Sequence, residues 1–529
     1  MATFEVYNKE NKPKMNRKLL LPSLLLFTSS FVFAQDKVID NIVKEANENS
    51  QLEKLAHELL DVVGPRLVGT PQMKQSNDWV VKKYADWGIS AKNEQWGQWR
   101  GWERGVTHVD LVSPRLRTLE ATQLAWSPST NGKPVKAEAI ILPENITDSI
   151  AFQKWLPAVK GKLVLISHNQ ISGRPDKNWE EFATKDLFEK YKKEKAAALK
   201  KFNDNLAKTG LKAKDLALAL ENAGAAALAI NNWSQGFGVD KVFGANTKKI
   251  PTINLSVEDY GLVYRLTKFG SKPVVNIVSE SKELGLVPTF NTIAEIKSKE
   301  KPNEYVMLSA HLDSWDAASG ATDNGSGTIL MMETMRILKK FYPNPKRTIL
   351  VGHWGSEEQG LNGSRAFVED HPEIVKNLQA LFNQDNGTGR VVNLAGQGFA
   401  NAEKFLTRWL AKVPDTIKNQ IKTSFPGIPG AGGSDFASFV AVGAPGFSLS
   451  STSWDYGTYT WHTNRDSYDK MVFDEIRSNA ILAAIMVYMA CEDPEKLTTE
   501  RAELQVNPRT GQKVTWPEQK KATRKGGVD

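Results

Sequence analysis

The sequence predicts an α/β protein, with a mostly parallel central sheet flanked by helices on both faces and a smaller αβ domain inserted into it. Short apolar runs rich in Val, Ile and Leu alternate with segments of helical apolar spacing, which is typical of a parallel sheet. The length of 529 residues exceeds what one ordinary hydrophobic core holds, so we expect more than one domain.

Each element follows from a local pattern. Residues 37–60 and 77–88 space their apolar side chains as helices do, and the segment 63–71 interrupts them with Gly and Pro. Residues 106–113 and 136–143 predict strands. From residue 288 onwards, predicted strands at 290–296, 304–311, 347–355, 378–387 and 444–451 alternate with predicted helices at 327–341, 364–370, 402–413 and 473–491.

Residues 130–282 have an alternation of their own, which predicts a small inserted αβ domain. Segment 160–167 reads as a short buried strand, and 219–232 as a helix, a turn and a strand. The charged segment 176–215 is expected to be a solvated helical excursion. The predicted organisation is a leader at 1–34, a main domain formed by 35–129 and 283–496, the inserted domain at 130–282, and a polar tail at 497–529.

The segment that begins at Met15 has the pattern of a secretory leader. Two basic residues precede an apolar run that is too short to span a bilayer comfortably, and a cleavage site fits between Ala34 and Gln35. We therefore expect a secreted or periplasmic protein, with Met15 as a candidate start. The single cysteine, Cys491, excludes an intramolecular disulfide, which suits a bacterial periplasm or medium.

Composition and charge limit the classes of partner that we expect. Apolar residues make up 41% of the chain and charged residues 24%, as in soluble globular proteins. The net charge of +8 is spread along the chain, and the basic run at 520–525 is typical of a solvated tail, so we expect no nucleic-acid partner. No later segment is apolar for long enough to predict stable membrane insertion. The sequence leaves monomer and homodimer open.

Imidazole and carboxylate side chains follow the predicted strand ends one after another. Because the carboxyl ends of parallel strands meet at one edge of a sheet, we expect these side chains to converge. Such ligands suit a divalent ion such as zinc, and one carboxylate can bridge two ions. The cluster comprises His311, Asp323, Glu357, Glu358, Asp385 and His462.

Each of these residues alone also has an ordinary structural interpretation. A histidine often ends a strand, and both Asp323-Asn324 and Asp385-Asn386 are ordinary turn sequences. Taken together this interpretation weakens, because four successive elements would carry polar groups at the same edge by accident, and crowded carboxylates without a cation repel one another. His353 lies further back in its strand, so we expect it to pack or to support the ligands from behind. A His-Glu-x-x-His helix and a Gly-x-Ser-x-Gly elbow are absent from the sequence.

Five stretches together resemble the co-catalytic di-zinc exopeptidases, a family that includes bacterial leucyl aminopeptidases and plasma glutamate carboxypeptidase. They are "SAHLDSWDAASGATDNGSGT", "GSEEQGLNGSRAF", "FNQDNGTG", "GGSDFASF" and "WHTNRDSYD", in the order and at the spacing typical of the family. The match covers residues 288–492, and 59–71 looks like the N-terminal segment of the family. Residues 130–282 resemble a protease-associated domain.

The resemblance implies a role for each position. Asp323 would bridge two zinc ions, with His311 and Asp385 on one ion and Glu358 and His462 on the other. It further implies three residues that act beside the metals, and a cis peptide bond after Asp323. Those three residues are Glu357 as the general base, Asp313 as the group that orients His311, and Tyr456 as a possible aid to the oxyanion, with simple packing as its alternative. Asp316 has no role in the pattern.

Two positions depart from the family pattern, since Phe436 and Trp461 stand where relatives often have histidine; they could line an apolar pocket. The predicted function is an exported aminopeptidase that acts on peptides. A dipeptidase or carboxypeptidase like carboxypeptidase Q is the first alternative. A binding module with a dead peptidase fold and a single-zinc glutaminyl cyclase are further alternatives, which the complete ligand set disfavours.

Overall fold

The computed structural model describes residues 25–504, 506 and 510–527, and for residues 25–36 it describes the backbone alone. Most of the predicted leader therefore lies outside the described residues. The helices are α1 (Leu25–Glu48), α2 (Leu52–Ala56), α3 (Pro71–Asp86), α4 (Ser149–Trp155), α5 (Asp176–Phe182), α6 (Lys185–Ala207), α7 (Ala213–Asn222), α8 (Val257–Lys268), α9 (Ser326–Phe341), α10 (Asn362–Asp370), α11 (Pro372–Lys376), α12 (Ala402–Leu410), α13 (Asp415–Lys418), α14 (Phe436–Ala441), α15 (Tyr456–Tyr459) and α16 (Phe473–Glu492).

The strands form one large sheet and a separate pair, β7 with β8. They are β1 (Ser90–Ser113), β2 (Arg117–Leu119), β3 (Ala121–Gln123), β4 (Val135–Ile141), β5 (Leu163–Leu165), β6 (Ala227–Ile230), β7 (Trp233–Gly236), β8 (Val239–Asp240), β9 (Thr252–Leu255), β10 (Val274–Ile296), β11 (Lys301–His311), β12 (Arg347–Trp354), β13 (Leu378–Asn383), β14 (Val391–Ala395), β15 (Lys422–Ser424), β16 (Gly446–Ser451) and β17 (Lys525–Gly526).

A long antiparallel ribbon joins the two halves of the large sheet. β1 and β10 pair along nearly their whole length, from Ser90 opposite Glu295 to Ser113 opposite Val274. The sequence predicts only their apolar ends, at 106–113 and 290–296. The middle of β10, residues 282–288, is largely exposed between the two cores, so it lacks the alternation that marks a half-buried strand.

The first half of the sheet holds the parallel strands that the sequence predicts. β12, β11, β13 and β16 lie side by side and run parallel, and every residue of β12 is buried. Strands covered on both faces read as continuous apolar runs, which explains why they are recognisable in the sequence. Helices α9 and α16 pack against each other and α1, while α10 packs with α14. This is the predicted fold class.

The second half of the sheet contains β4, β5, β6 and β9 in parallel, with β3 antiparallel at the edge. It has its own apolar core, which also includes Val109, Leu111 and Leu119 from before residue 130. The residues 176–215 are largely helical, as α5, α6 and the start of α7. The division of the chain at residues 130 and 282 stays a prediction.

The described part of the C-terminal tail packs on the first half of the molecule. Trp516 contacts Phe399 at a ring-centroid distance of 5.5 Å, and β17 pairs with β1. Arg524 forms ion pairs with Glu369 and Asp370. Within the described residues, none of the helices combines the length and apolar character required to cross a bilayer.

Candidate metal centre

His311 is the last residue of β11, and its imidazole is almost completely buried. Its Nδ1 lies 2.9 Å from the backbone oxygen of Asp313 and 3.6 Å from the Asp313 carboxylate. The carbonyl oxygen is the closer acceptor for an Nδ1 proton, and that tautomer leaves Nε2 free to act as a ligand. The Asp313 carboxylate instead accepts hydrogen bonds from the backbone N–H groups of Glu357, at 3.0 Å, and Glu358, at 3.3 Å.

Asp323 lies in the turn Ala321–Gly325 that precedes α9, and its φ of -128° and ψ of 87° are not helical. The peptide bond between Asp323 and Asn324 is cis, in agreement with the resemblance. The Asn324 side chain anchors this turn on both sides, because its amide donates to the Gln384 backbone oxygen at 2.8 Å and its oxygen accepts from Gly327 N–H at 3.0 Å. The Asp323 carboxylate is thereby held at the edge of the sheet.

The other candidate residues follow the neighbouring strands. Glu357 and Glu358 come just after β12, and Asp385 comes two residues after β13. His462 lies in the loop between α15 and α16, with a left-handed φ of 58°. The structure thus brings together the six residues of the predicted cluster, because parallel strands end at the same edge.

The ligand atoms form two groups that share one carboxylate. In the first group, His311 Nε2 lies 3.2 Å from Asp385 Oδ1 and 3.4 Å from Asp323 Oδ1. In the second, His462 Nε2 lies 2.8 Å from Glu358 Oε2 and 3.3 Å from Asp323 Oδ2. The two imidazoles therefore face the two oxygens of the same carboxylate. Within each group the ligand atoms lie within 4.8 Å of one another.

This geometry fits zinc. Ligands about 2.0–2.1 Å from a tetrahedral ion lie roughly 3.3 Å from one another, close to most of the observed separations. Asp323 Oδ2, Glu358 Oε1 and His462 Nδ1 are buried without a hydrogen-bond partner among the described residues. Buried polar atoms are normally paired, and a cation would satisfy the two carboxylate oxygens.

The electrostatics of the site point the same way. Burial, and then the charge of Asp323, raises the pKa of Glu358 well above its ordinary value. Burial also raises the pKa of Glu357 well above its ordinary value, and the nearby charge of Asp385 adds to this effect. Carboxylates crowded in this way are costly to ionise together unless a cation compensates them. The site therefore has the donor set and the charge that a divalent ion requires.

Two residues that support the site were missed by the sequence reasoning. Arg66 is fully buried, and its guanidinium donates to the backbone oxygens of Leu312, Ser319 and Gly320 at 2.6–2.9 Å. Burial lowers its pKa to about 10, while the neighbouring carboxylates oppose that shift. Asp466 accepts hydrogen bonds from the N–H groups of Thr322 and Asp323. The available signals were an arginine in an apolar Gly- and Pro-containing segment, and an aspartate within the stretch that carries His462.

A further buried carboxylate, that of Asp435, lies near Glu357. Both of its carboxylate oxygens lack a hydrogen-bond partner among the described residues. Burial raises its pKa to about 7. In the sequence, the departure from the family pattern falls on the next residue, Phe436, so Asp435 itself does not stand out.

Aromatic side chains form the outer wall of the site. The Trp461 ring stacks on His462 at a centroid distance of 4.0 Å, and Phe243 meets the same imidazole edge-on at 5.4 Å.

Burial opposes ionisation of Asp323, but hydrogen bonds from His311 and Tyr456 help to lower its pKa. Tyr456 therefore lies beside the candidate metal ligands.

Two other residues lie outside the cluster. The ring of His353 is buried, and its Nε2 lies 2.8 Å from the Tyr84 hydroxyl. Asp316 forms a two-pronged ion pair with Arg104. These contacts agree with a packing position for His353, and the Asp316 carboxylate is paired with an arginine outside the two ligand groups.

An α/β sheet with two imidazole–carboxylate groups at its strand ends has the arrangement expected of a metal-dependent hydrolase. The sequence profile of Peptidase family M28 matches residues 291–487, the part of the chain that carries both groups of candidate ligands. The chain is therefore a metallopeptidase, as the sequence predicts.

Proteins similar in sequence and solved structures similar in fold agree with this match. Carboxypeptidase Q of Bos taurus is 26% identical over 461 residues, covering 87% of this chain and 89% of that protein. The structure of a Peptidase M28 precursor from Shewanella amazonensis SB2B has a TM-score of 0.63 at 22% identity, covering 88% of this chain and 98% of that one. BSAP, a zinc aminopeptidase from Bacillus subtilis, has a TM-score of 0.54 at 19% identity, with 85% and 97% covered. These likenesses confirm the predicted fold class.

Proposed function

We propose that the chain is an exported aminopeptidase that uses two zinc ions to remove N-terminal residues from peptides. The observation that carries this proposal is the shared carboxylate of Asp323, which lies between two imidazole–carboxylate groups. In the proposed assignment His311, Asp323 and Asp385 hold one ion, and Asp323, Glu358 and His462 hold the other. Elemental analysis of the purified protein tests the count of two.

Bound zinc supplies a Lewis acid for the peptide carbonyl and lowers the pKa of a water molecule in the site. Glu357 is the proposed general base. Its carboxyl group belongs to neither ligand group, and burial raises its pKa well above the ordinary value. A carboxylate with a raised pKa accepts a proton from the attacking water more readily and can then pass it to the leaving amine. Its backbone N–H is held by Asp313 at 3.0 Å.

Asp313 is proposed to orient His311 and the two glutamates together. Its backbone oxygen lies against the His311 ring, and its carboxylate accepts from the backbone of the segment that carries Glu357 and Glu358. Tyr456 is proposed to donate a hydrogen bond to the oxyanion. Its position beside Asp323 supports this role. The alternative of simple packing is supported by the closeness of its ring to Gly387, where an added Cβ would lie 3.1 Å from Tyr456 Cδ2.

The likeness to the aminopeptidase of Bacillus subtilis concerns the fold alone, whereas carboxypeptidase Q matches 87% of the chain in sequence and supports a dipeptidase as the alternative. One peptide in an N-acetylated and a C-amidated form separates them. An aminopeptidase cleaves the amide and refuses the acetylated peptide. A strict dipeptidase requires both free ends, so it cleaves neither the acetylated nor the amidated peptide. A binding module cleaves no form of the peptide.

The same proposal includes export of the protein and an inserted protease-associated domain at 130–282. Monomer and homodimer both remain compatible with it. N-terminal sequencing of the secreted protein would test cleavage near Ala34 and the start at Met15. Sedimentation of the purified chain would distinguish monomer from homodimer.

A further inference from the structure

The second half of the molecule reaches the candidate metal centre through residues 238–243, the segment that contains β8. The backbone of this segment runs along the loop that carries His462. Val242 N–H donates to the His462 backbone oxygen at 2.9 Å, and Lys241 forms an antiparallel bridge with Thr463. Asp240 and Asn464 exchange two hydrogen bonds of 2.9 and 3.0 Å. The position of Lys241 is therefore set by backbone pairing.

The side chain of Lys241 lies against the aromatic wall of the site. Its Nζ lies 3.9 Å from the centroid of the Trp461 ring, which itself stacks on His462. An ammonium group over a tryptophan face is held by the ring quadrupole, which restricts its position without neutralising its charge. The positive charge of Lys241 thus lies one ring away from a candidate metal ligand.

Arg104, Lys177 and Arg465 each have a carboxylate partner, whereas Lys241 does not among the described residues. Arg104 pairs with Asp316, Lys177 with Asp455 and Arg465 with Glu120. Among the described residues, no carboxylate lies within ion-pair distance of Lys241 Nζ, which is only partly buried. Burial lowers its pKa, and the charge of Asp323 acts in the opposite direction. Lys241 is therefore a fixed, partly exposed cation available to an anion.

We propose that Lys241 binds a carboxylate of the substrate, and so determines which peptides the enzyme prefers. The proposal rests on the proposed function and deepens it. The same charge repels the free amino group of a peptide, which orients the substrate with its amino end towards the acidic side of the site. The carboxylate has two possible sources, the α-carboxylate at the end of a dipeptide or an acidic side chain next to the scissile bond.

Four substrates distinguish the sources. Ala-Leu against Ala-Leu amide isolates the α-carboxylate, and Ala-Asp amide against Ala-Asn amide isolates an acidic side chain. With the zinc-loaded full chain, we expect kcat/KM for the carboxylate member of one pair to exceed that of its partner by about tenfold or more, through KM. In Lys241→Met this ratio should fall to about 1. Lys241→Arg should retain most of the preference.

The control is Lys248→Met, because Lys248 is an exposed lysine of the same half of the molecule. It should leave both ratios as in the native chain. An unchanged ratio in Lys241→Met would overturn the proposal. An equal loss of kcat for all four substrates would also overturn it, because that pattern indicates a displaced His462 instead of a lost carboxylate contact.

Measuring the binding of these peptides tests the role of Lys241 independently of the peptidase activity. In the Glu357→Gln background, calorimetry measures the affinity for Ala-Leu, Ala-Asp amide and their uncharged partners without turnover. A preference of about tenfold for one carboxylate ligand that disappears on adding Lys241→Met supports the role of Lys241, even if the native chain hydrolyses none of these peptides. Equal affinities within both pairs would overturn it, even if the native chain is an active peptidase.

Discussion

The carboxylate of Asp466 holds the backbone of Asp323. The Asp323 N–H donates to Asp466 Oδ2 at 3.0 Å, and the N–H and hydroxyl of Thr322 both donate to Oδ1 at 2.8 Å. Three donors, two from Thr322 and one from Asp323, thus bind the buried carboxylate of Asp466. They fix the backbone at the residue that both ligand groups share. Because Asp466 contacts no ligand atom of the site, it acts by positioning Asp323.

Replacing Asp466 with Asn should weaken metal binding. An amide can accept only at its oxygen, so its NH₂ group would face one of the three donors and leave that donor unpaired. We expect the zinc affinity to fall about 10- to 100-fold, as measured by competition with a chelating dye. Asp469→Asn is the matched control, since Asp469 is exposed and contacts Ser467 and Lys470. Equal affinities in the native chain and Asp466→Asn would contradict this role.

Replacing Glu357 with Gln should preserve the metal and remove most of the turnover. Glu357 belongs to neither ligand group, so the zinc content should stay at the native level, while the loss of a general base lowers kcat about 100- to 10,000-fold. Elemental analysis and initial rates on an aminoacyl anilide measure the two effects. Glu403→Gln, at an exposed position on α12, serves as the control. Undiminished hydrolysis would remove Glu357 as the base.

Removing the metal should lower the melting temperature. Asp323, Asp385 and Glu358 crowd around two imidazoles, and an ion that binds only the folded chain stabilises it by about 2.7 kcal/mol at 100 times its Kd. We expect chelation to lower Tm by a few degrees and added zinc to restore it. The Asp323→Asn variant should respond much less, because it weakens the shared ligand. The same Tm with and without chelator would argue against a metal centre here.

The buried ring of His353 should make the metal-free chain less stable in mild acid. Burial lowers its pKa from 6.5 to about 3, so below pH 6.5 the unfolded chain takes up a proton that the folded chain refuses. This group should reduce the free energy of unfolding by about 1.4 kcal/mol per pH unit between roughly pH 6 and pH 4. Urea unfolding measures the slope. His353→Gln should flatten it by that amount, and an unaltered slope would show that the ring is protonated in the folded chain.

The sequence by itself determined the fold class and the membership of the candidate cluster. Strands such as β12 are buried on both faces, so their apolar runs stand out locally, and the residue that follows each parallel strand lies at a known edge of the sheet. His311, Glu358 and Asp385 could therefore be assigned to one site from strand ends alone. The exposed middle of β10 lacks such a pattern, and for that reason its full length was not predicted.

Only the tertiary structure decided what surrounds that cluster. Arg66 meets Gly320 across 254 positions, Asp466 meets Asp323 across 143, and Lys241 reaches the His462 loop from the other half of the molecule. Each contact depends on the packing of separate elements, and no local periodicity records which distant backbone a side chain will meet. The same is true of Asp313, whose carbonyl oxygen contacts the His311 ring while its carboxylate holds the glutamate backbone.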